Sequence, residues 1–179
     1  MADNNKLNAF SATNSSDKRT WYSPVADIYH DARPSYPQAL IDFAIAHTHL
    51  NSDSKILEIG CGSGNATVPF ARSNIAITCI EYNQEFCGLA KQNTKQFPKV
   101  EICHKAFEEW QLEEGKYDAV LSANALHQIP SAIAYSKTAA ALKNRGFIIL
   151  LWNLTPELKY RVYERVESIY QNYVPSYLL

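Results

Sequence analysis

The chain has 179 residues, with 46% hydrophobic and 20% charged; 17 Lys and Arg stand against 18 Asp and Glu, a formal net charge of −1. That length has room for one domain with a core of its own and not for two. The composition excludes wholesale disorder, and the lack of a basic surplus argues against a nucleic-acid partner.

The four cysteines, Cys61, Cys79, Cys87 and Cys103, form no C-x-x-C pair, so neither a zinc ribbon nor a thioredoxin-type motif is supported, and no metal is expected. The start, MADNNKLNAF, has no apolar stretch behind a basic segment, and the longest apolar run is Phe147 to Trp152. No signal peptide and no membrane span are expected, since a span needs roughly 20 apolar residues. A cytoplasmic protein with reduced thiols is the expectation.

Residues 1–20 are mostly polar and predict a mobile tail, leaving 21–179 as the domain. Ser23-Pro24 predicts a helix start, with a helix to about Asp31. From Pro37, the apolar residues Leu40, Ile41, Ala44, Ile45 and Leu50 predict a second helix. Strands and helices then alternate. Strands are expected at Lys55–Ile59, Ile75–Glu81, Val100–His104, Tyr117–Ala123 and Phe147–Trp152. Helices are expected at Asn65–Ser73, from an Asn83 cap to about Gln96, and at Ser131–Lys143, with a turn at Asn144–Gly146. Thr155-Pro156-Glu157 starts a last helix, with Leu158, Val162, Val166, Ile169 and Tyr173 on one face. This alternation predicts an α/β fold with a parallel sheet covered on both faces. Ligands in such sheets bind beyond the carboxyl ends of the strands. The chemistry is therefore expected at Gly60–Gly64, Glu81, Ala106–Phe107 and Ser122–His127.

Gly60-Cys61-Gly62-Ser63-Gly64 lies between a strand and a helix, where glycines let a backbone approach a ligand. The next strand ends in Glu81, whose two oxygens suit the paired hydroxyls of a ribose. Together they predict a nucleoside-containing cofactor. The dinucleotide fingerprint needs a third glycine at position 65, which is Asn. Glu58, two residues before the first glycine, suits a ligand with a positive group better than a pyrophosphate.

The segments ILEIGCGSGNAT and CIEYN, with VADIYHDARPSYP, CHKAFEEW and YDAVLSANALHQIP, resemble class I S-adenosylmethionine-dependent methyltransferases, specifically the type 11, trans-aconitate methyltransferase-like group. The resemblance runs from about Trp21 to the end. It implies a Rossmann-like doubly wound sheet and S-adenosylmethionine as cofactor. Gly60, Gly62 and Gly64 would line its methionine end, with Glu58 near its amino group or an ordered water. Glu81 would hold the ribose, and Ala106 and Phe107 would flank the adenine. Ser122 and Ala123 would face the cofactor, and Tyr29 and Arg33 would bind it from an N-terminal lid, with Arg33 the candidate for its carboxylate. Many relatives carry Asp where Ala106 stands, so adenine recognition here would lean on backbone groups.

Each assignment has a plainer alternative. Tyr29 could only pack the first helix, and Arg33 could only pair with Asp27 or Asp31. His127 is the one candidate catalytic base; its plainer role is to pack a loop or only to line the pocket. A sulfonium methyl is already activated, so transfer needs in-line positioning and exclusion of water rather than a metal or a covalent intermediate. A small-molecule methyl acceptor is what the resemblance implies. Ser122-Ala123-Asn124-Ala125 lacks the motif that base methyltransferases carry there.

The family sheet ends in an antiparallel hairpin, and only five strands are legible here. The chain is therefore expected to be short at its C-terminus, with an uncovered apolar edge at the fifth strand. Three outcomes stand open: a catalytically inactive cofactor-binding remnant, a homodimer paired through that edge, or a terminal helix folded over the gap.

Overall fold

The computed structural model describes Ser23 and residues 26–154, the Asp27 side chain excepted. The expected tail at 1–20 and the helix expected after Thr155 lie outside the described residues. The elements in chain order are α1 (Ala26–Ala32), α2 (Gln38–His47), β1 (Lys55–Ile59), α3 (Thr67–Ala71), β2 (Ala76–Glu81), α4 (Gln84–Thr94), β3 (Val100–His104), β4 (Tyr117–Ala123), a 3₁₀ turn (Leu126–Gln128), α5 (Ser131–Ala141) and β5 (Leu142–Leu151). The five strands make one sheet in the order β3-β2-β1-β4-β5, and every pairing is parallel. No helix among the described residues is long and apolar enough to cross a membrane.

Strand periodicity divides the core in two. Alternate side chains point to opposite faces of a sheet. On one face Ile56, Ile77, Cys79 and Leu121 pack with Ile41 of α2, Phe70 of α3 and Ala90 of α4. On the other, Leu57, Ile59, Ile80 and Val120 pack with Phe107, Trp110, and Ala134 and Ala141 of α5. Burying each such large apolar side chain contributes about 1.5–3 kcal/mol. The parallel sheet with both faces covered is thus the fold that the alternation predicts.

Element ends show the caps at work. The Asn83 side chain accepts the Phe86 N–H at 3.1 Å and so caps α4, as expected. The first helix is described from Ala26, and Ser23 accepts a 2.7 Å bond from the Asn83 carboxamide. The expected Asn65–Ser73 helix is shorter, Thr67–Ala71, because the loop before it remains in turns through Ala66.

β5 differs most from expectation, starting at Leu142 rather than Phe147. Leu142 pairs with Tyr117 and Phe147 with Ala119, so five residues of β5 advance against two of β4. The expected Asn144–Gly146 turn is therefore a bulge inside the strand, with Arg145 in the left-handed region (φ 66°). A Cβ on Gly146 would come within 3.0 Å of the Lys143 carbonyl and 3.1 Å of the Asp118 carbonyl, so only glycine fits the fold-back. β5 is an edge of the sheet, where Phe147 and Ile148 are exposed.

Asp118 pins this end of the sheet. One oxygen accepts the Lys55 N–H at 2.8 Å, and the other pairs with Lys143 Nζ at 2.8 Å. Burial pushes the carboxyl up, but Lys143 and the Lys55 amide outweigh it and hold the pKa below the usual range. Asp118→Ala should lower the unfolding free energy in urea by about 1–2 kcal/mol at neutral pH, allowing for the solvent-exposed ion pair. Because the folded value is depressed, the difference from wild type should shrink as pH falls below about 4.

Candidate functional site

The loop between β1 and α3 takes its shape from glycine and from Glu81. Gly60 has φ +67° and donates its N–H to Ile80 O at 2.8 Å, which carries the chain off the end of β1. A Cβ there would overlap that of Ala125, so glycine is required on two counts. Gly62 also has a positive φ, +56°, and nothing lies within 4 Å of where its Cβ would stand. Its N–H donates to Glu81 Oε2 at 2.9 Å, and the Asn83 N–H donates to Glu81 Oε1 at 2.9 Å. Burial pushes the Glu81 carboxyl up, and these backbone donors pull it back.

Beyond the strand ends lies a cleft of about 830 Å³, open solvent at its mouth included. Its floor is Gly60 to Ser63 with Asn65 and Ala66; Glu81, Tyr82 and Phe86 form one side, and Ala123, Asn124, Ala125, Gln128 and Asn153 the other. Tyr29, Arg33 and Tyr36 close over it. A mainly apolar cavity of about 360 Å³, open solvent included, adjoins it, lined by Ile59, Ile80, Phe107 and Ile129 and sharing Gly60, Tyr82, Ala125 and Gln128 with the cleft.

Helix α1 is tied down over the loop. The His30 ring meets the Ser63 hydroxyl at 2.7 Å, and Asn93 of α4 donates to Ser63 O at 2.9 Å. Tyr29 packs on Phe86 with ring centroids 5.5 Å apart, and the Arg33 guanidinium lies 4.6 Å over the Tyr29 ring. No carboxylate pairs with Arg33 among the described residues. Lys137 of α5 donates to the carbonyls of Phe107, Glu108 and Trp110, which secures the segment carrying Phe107.

Of the residues singled out in the sequence, Tyr29, Arg33, Gly60, Gly62 and Glu81 come together on the cleft, and Phe107 lines the apolar cavity. Five others line neither. Gly64 is buried, facing Thr67, Ala90 and Thr94 where α3 meets α4. Ala106 caps a turn, its carbonyl accepting from Glu109 and Trp110. Ser122 is buried and donates to Ile59 O at 3.1 Å, joining β4 to β1. His127 is exposed. Successive residues of a 3₁₀ turn lie about 120° apart, so with Leu126 buried and Gln128 on the cleft, His127 faces away. The fifth is Glu58. Sequence reasoning singled out none of Tyr36, Asn65, Gln128 and Asn153 as a site residue, and reached Asn124 only as part of Ser122–His127. The local signals were Tyr36 beside Arg33 in ARPSYP and Asn124 at the end of β4.

Glu58 alternates onto the face of Cys79 and α3 and is fully buried beneath the loop. Thr67 Oγ1 donates to its Oε2 at 2.7 Å, and Cys79 Sγ approaches the same oxygen at 3.7 Å. Its Oε1 has no partner among the described residues. Burial lifts its pKa to about 7, against the Thr67 and Cys79 bonds, with Glu81 adding to the rise. Between the ordinary carboxyl range and pH 7 the fold keeps a proton that the unfolded chain releases. Stability from this group is therefore complete at low pH and is lost as pH rises through about 7. Urea unfolding at pH 5 and pH 8 should show wild type losing stability with rising pH. Glu58→Gln should lose less, and above pH 7 it should be the more stable of the two.

A family model described as a methyltransferase domain matches residues 56–146, from β1 into the bulge of β5. An uncharacterized methyltransferase of Schizosaccharomyces pombe is 29% identical over 137 residues, covering 76% of this chain and 53% of that protein. The chain spans about half the length of the curated relatives it matches. A candidate S-adenosyl-L-methionine-dependent methyltransferase of Methanococcus maripaludis has the same fold, with a TM-score of 0.60 at 14% identity over 91% of this chain and 72% of that one. A methyltransferase of Thiobacillus denitrificans, solved with S-adenosyl-L-homocysteine, aligns with a TM-score of 0.55 at 22% identity over 66% of this chain and 49% of that one. With the match covering half of its residues and the glycine loop, Glu81 and both cavities at the strand ends, this chain belongs to the methyltransferase domain family.

Proposed function

We propose that the chain binds S-adenosylmethionine in the cleft and transfers its methyl group to a small molecule. The observation that carries this is Glu81. The Gly62 and Asn83 N–H groups each meet one carboxylate oxygen, and the Tyr82 amide also bonds the carboxyl. The carboxylate stands on the lining of the cleft, where its two oxygens suit the paired hydroxyls of a ribose. The open space over Gly62 leaves room for a ligand against the loop backbone, and the apolar cavity beside Phe107 suits a flat base. The motifs from ILEIGCGSGNAT to ALHQIP support the type 11, trans-aconitate methyltransferase-like group as the subgroup.

When bound, the cofactor supplies a methyl on a sulfonium, whose leaving group departs uncharged. The residues here would hold, orient and shield. Glu81 would fix the ribose, and the Gly60–Gly62 backbone would support the amino-acid end. Tyr29 on the tied-down α1 and Arg33 just after it would keep water out. Glu58 would act from below, by holding Thr67 at the start of α3. In-line displacement needs no base from the cleft, and none is assigned to exposed His127. The exposed Phe147 and Ile148 support pairing of two copies along β5, which light scattering would read as twice the mass of the chain.

Calorimetric titration with S-adenosylhomocysteine should give saturable binding to wild type. Glu81→Ala, checked by its unfolding curve, should bind at least about tenfold more weakly, roughly 1.4 kcal/mol. No binding by folded wild-type protein would overturn the proposal.

A further inference from the structure

Asn124 stands immediately after β4 in the left-handed region, φ 55°, and its N–H donates to Leu151 O at 3.0 Å. Asn is among the few side chains that tolerate that conformation. Its carboxamide bridges two distant segments. Oδ1 accepts the Asn153 backbone N–H at 3.2 Å, and Nδ2 donates to the Tyr36 hydroxyl at 3.0 Å.

The first of these bonds settles the second. A backbone N–H can only donate, so the amide oxygen must face Asn153. The NH₂ group then faces Tyr36, and the tyrosine oxygen must be the acceptor. The phenolic hydrogen is thereby left to point elsewhere, and no other partner of the Tyr36 hydroxyl is found among the described residues. Burial raises the Tyr36 pKa further above neutrality, with Arg33 opposing, so the hydrogen stays on. Tyr36 lines the cleft beside Arg33, near Asn153 and Gln128. This end of the cleft lies beyond β4 and β5, two to three strand spacings from Glu81 beyond β2, about 10–14 Å across the sheet.

We infer that Tyr36 is a specificity-determining residue whose hydroxyl is a preset, uncharged donor to a carbonyl-type oxygen of the methyl acceptor, and that Asn124 is the positioning residue that aims it. The inference deepens, and rests on, the function proposed above. The NH₂ and the oxygen of Asn124 each hold a partner within the protein, which fixes the orientation of its carboxamide.

The test uses the full chain loaded with S-adenosylhomocysteine and carrying ¹³Cζ-labelled tyrosine. The Tyr36 signal is assigned by its loss in Tyr36→Phe. Acetamide and acetate are titrated as neutral and anionic carbonyl-type probes. At least one should move the Tyr36 signal saturably, and which one does so shows the charge of the preferred group. Its affinity, followed by calorimetric competition, should fall at least about fivefold in Tyr36→Phe, as loss of one hydrogen bond implies. Asn124→Asp keeps an acceptor for Asn153 but replaces the NH₂ with an oxygen, so the Tyr36 hydrogen should turn toward it. A similar loss of probe affinity is expected there, with the hydroxyl still present. S-adenosylhomocysteine affinity should stay within about twofold in both variants.

A Tyr36 signal unmoved by either probe, or wild-type probe affinity in Tyr36→Phe, would overturn the inference. Wild-type probe affinity in Asn124→Asp alone would overturn the positioning role. Loss of S-adenosylhomocysteine binding in Tyr36→Phe would give the hydroxyl to the cofactor and overturn it too. Failure of the cofactor proposal is distinct, because wild-type protein would not bind S-adenosylhomocysteine before any probe is added.

Discussion

Glu81 places a carboxylate, 4% exposed, where the end of β2, the glycine loop and the start of α4 converge. Leaving such a group unbonded would cost several kcal/mol, so its surroundings must supply donors. They are the backbone amides of Gly62 in the loop and of Tyr82 and Asn83 at the approach to α4. Asn83 then caps α4 through Phe86 and holds Ser23, ahead of α1. Loop shape, helix start and approach to the lid all follow from one side chain. Its place on the lining of the cleft is what makes it available to a ligand.

The two acids of the motif have opposite situations although they sit on neighbouring strands. Glu58 pairs in register with Cys79, two residues before Glu81. Alternation sends both carboxylates to the same face, but the loop covers one and leaves the other at its rim. Burial pushes the pKa of Glu58 to about 7, toward its neutral form, against the bonds from Thr67 and Cys79, whereas at Glu81 burial also raises the pKa and backbone N–H groups that favour the charge pull it back. Depth beneath the loop, rather than residue type, separates a structural acid from a binding one.

The sheet order places β1 at the centre, and the glycine loop leaves its carboxyl end, where open α/β sheets bind their ligands. A fold of this kind hosts many chemistries, so membership in the methyltransferase domain family identifies the scaffold, and the side chains around the cleft carry the choice of partner. Those side chains come from every layer. Tyr29, Arg33 and Tyr36 arrive from before the first strand, Glu81 and Phe86 from the β2 side, and Asn124, Gln128 and Asn153 from beyond β4 and β5. The residues over the cleft are held through His30, Ser63 and Asn93, polar contacts between parts of the chain 30 or more residues apart.

By itself the sequence determined what depends on short-range chemistry. β1, β3 and β4 have the bounds that their apolar runs predict, and Asn83 caps the helix its position announces. The glycine loop and Glu81 were legible for the same reason: a tight turn demands glycine, and an acid ending the next strand is a matter of spacing. Tertiary structure alone decided the rest. The early start of β5 needed its pairing with Tyr117 across a bulge. The burial of Glu58 and the outward face of His127 depend on which side of an element is covered by something remote in sequence. Tyr36 and Asn124 are 88 residues apart, and their hydrogen bond exists only because the sheet brings the end of β4 beneath the segment before β1. Local patterns specify backbone paths, whereas the direction of a hydroxyl or the charge of a buried acid is set by neighbours that only the closed fold brings together.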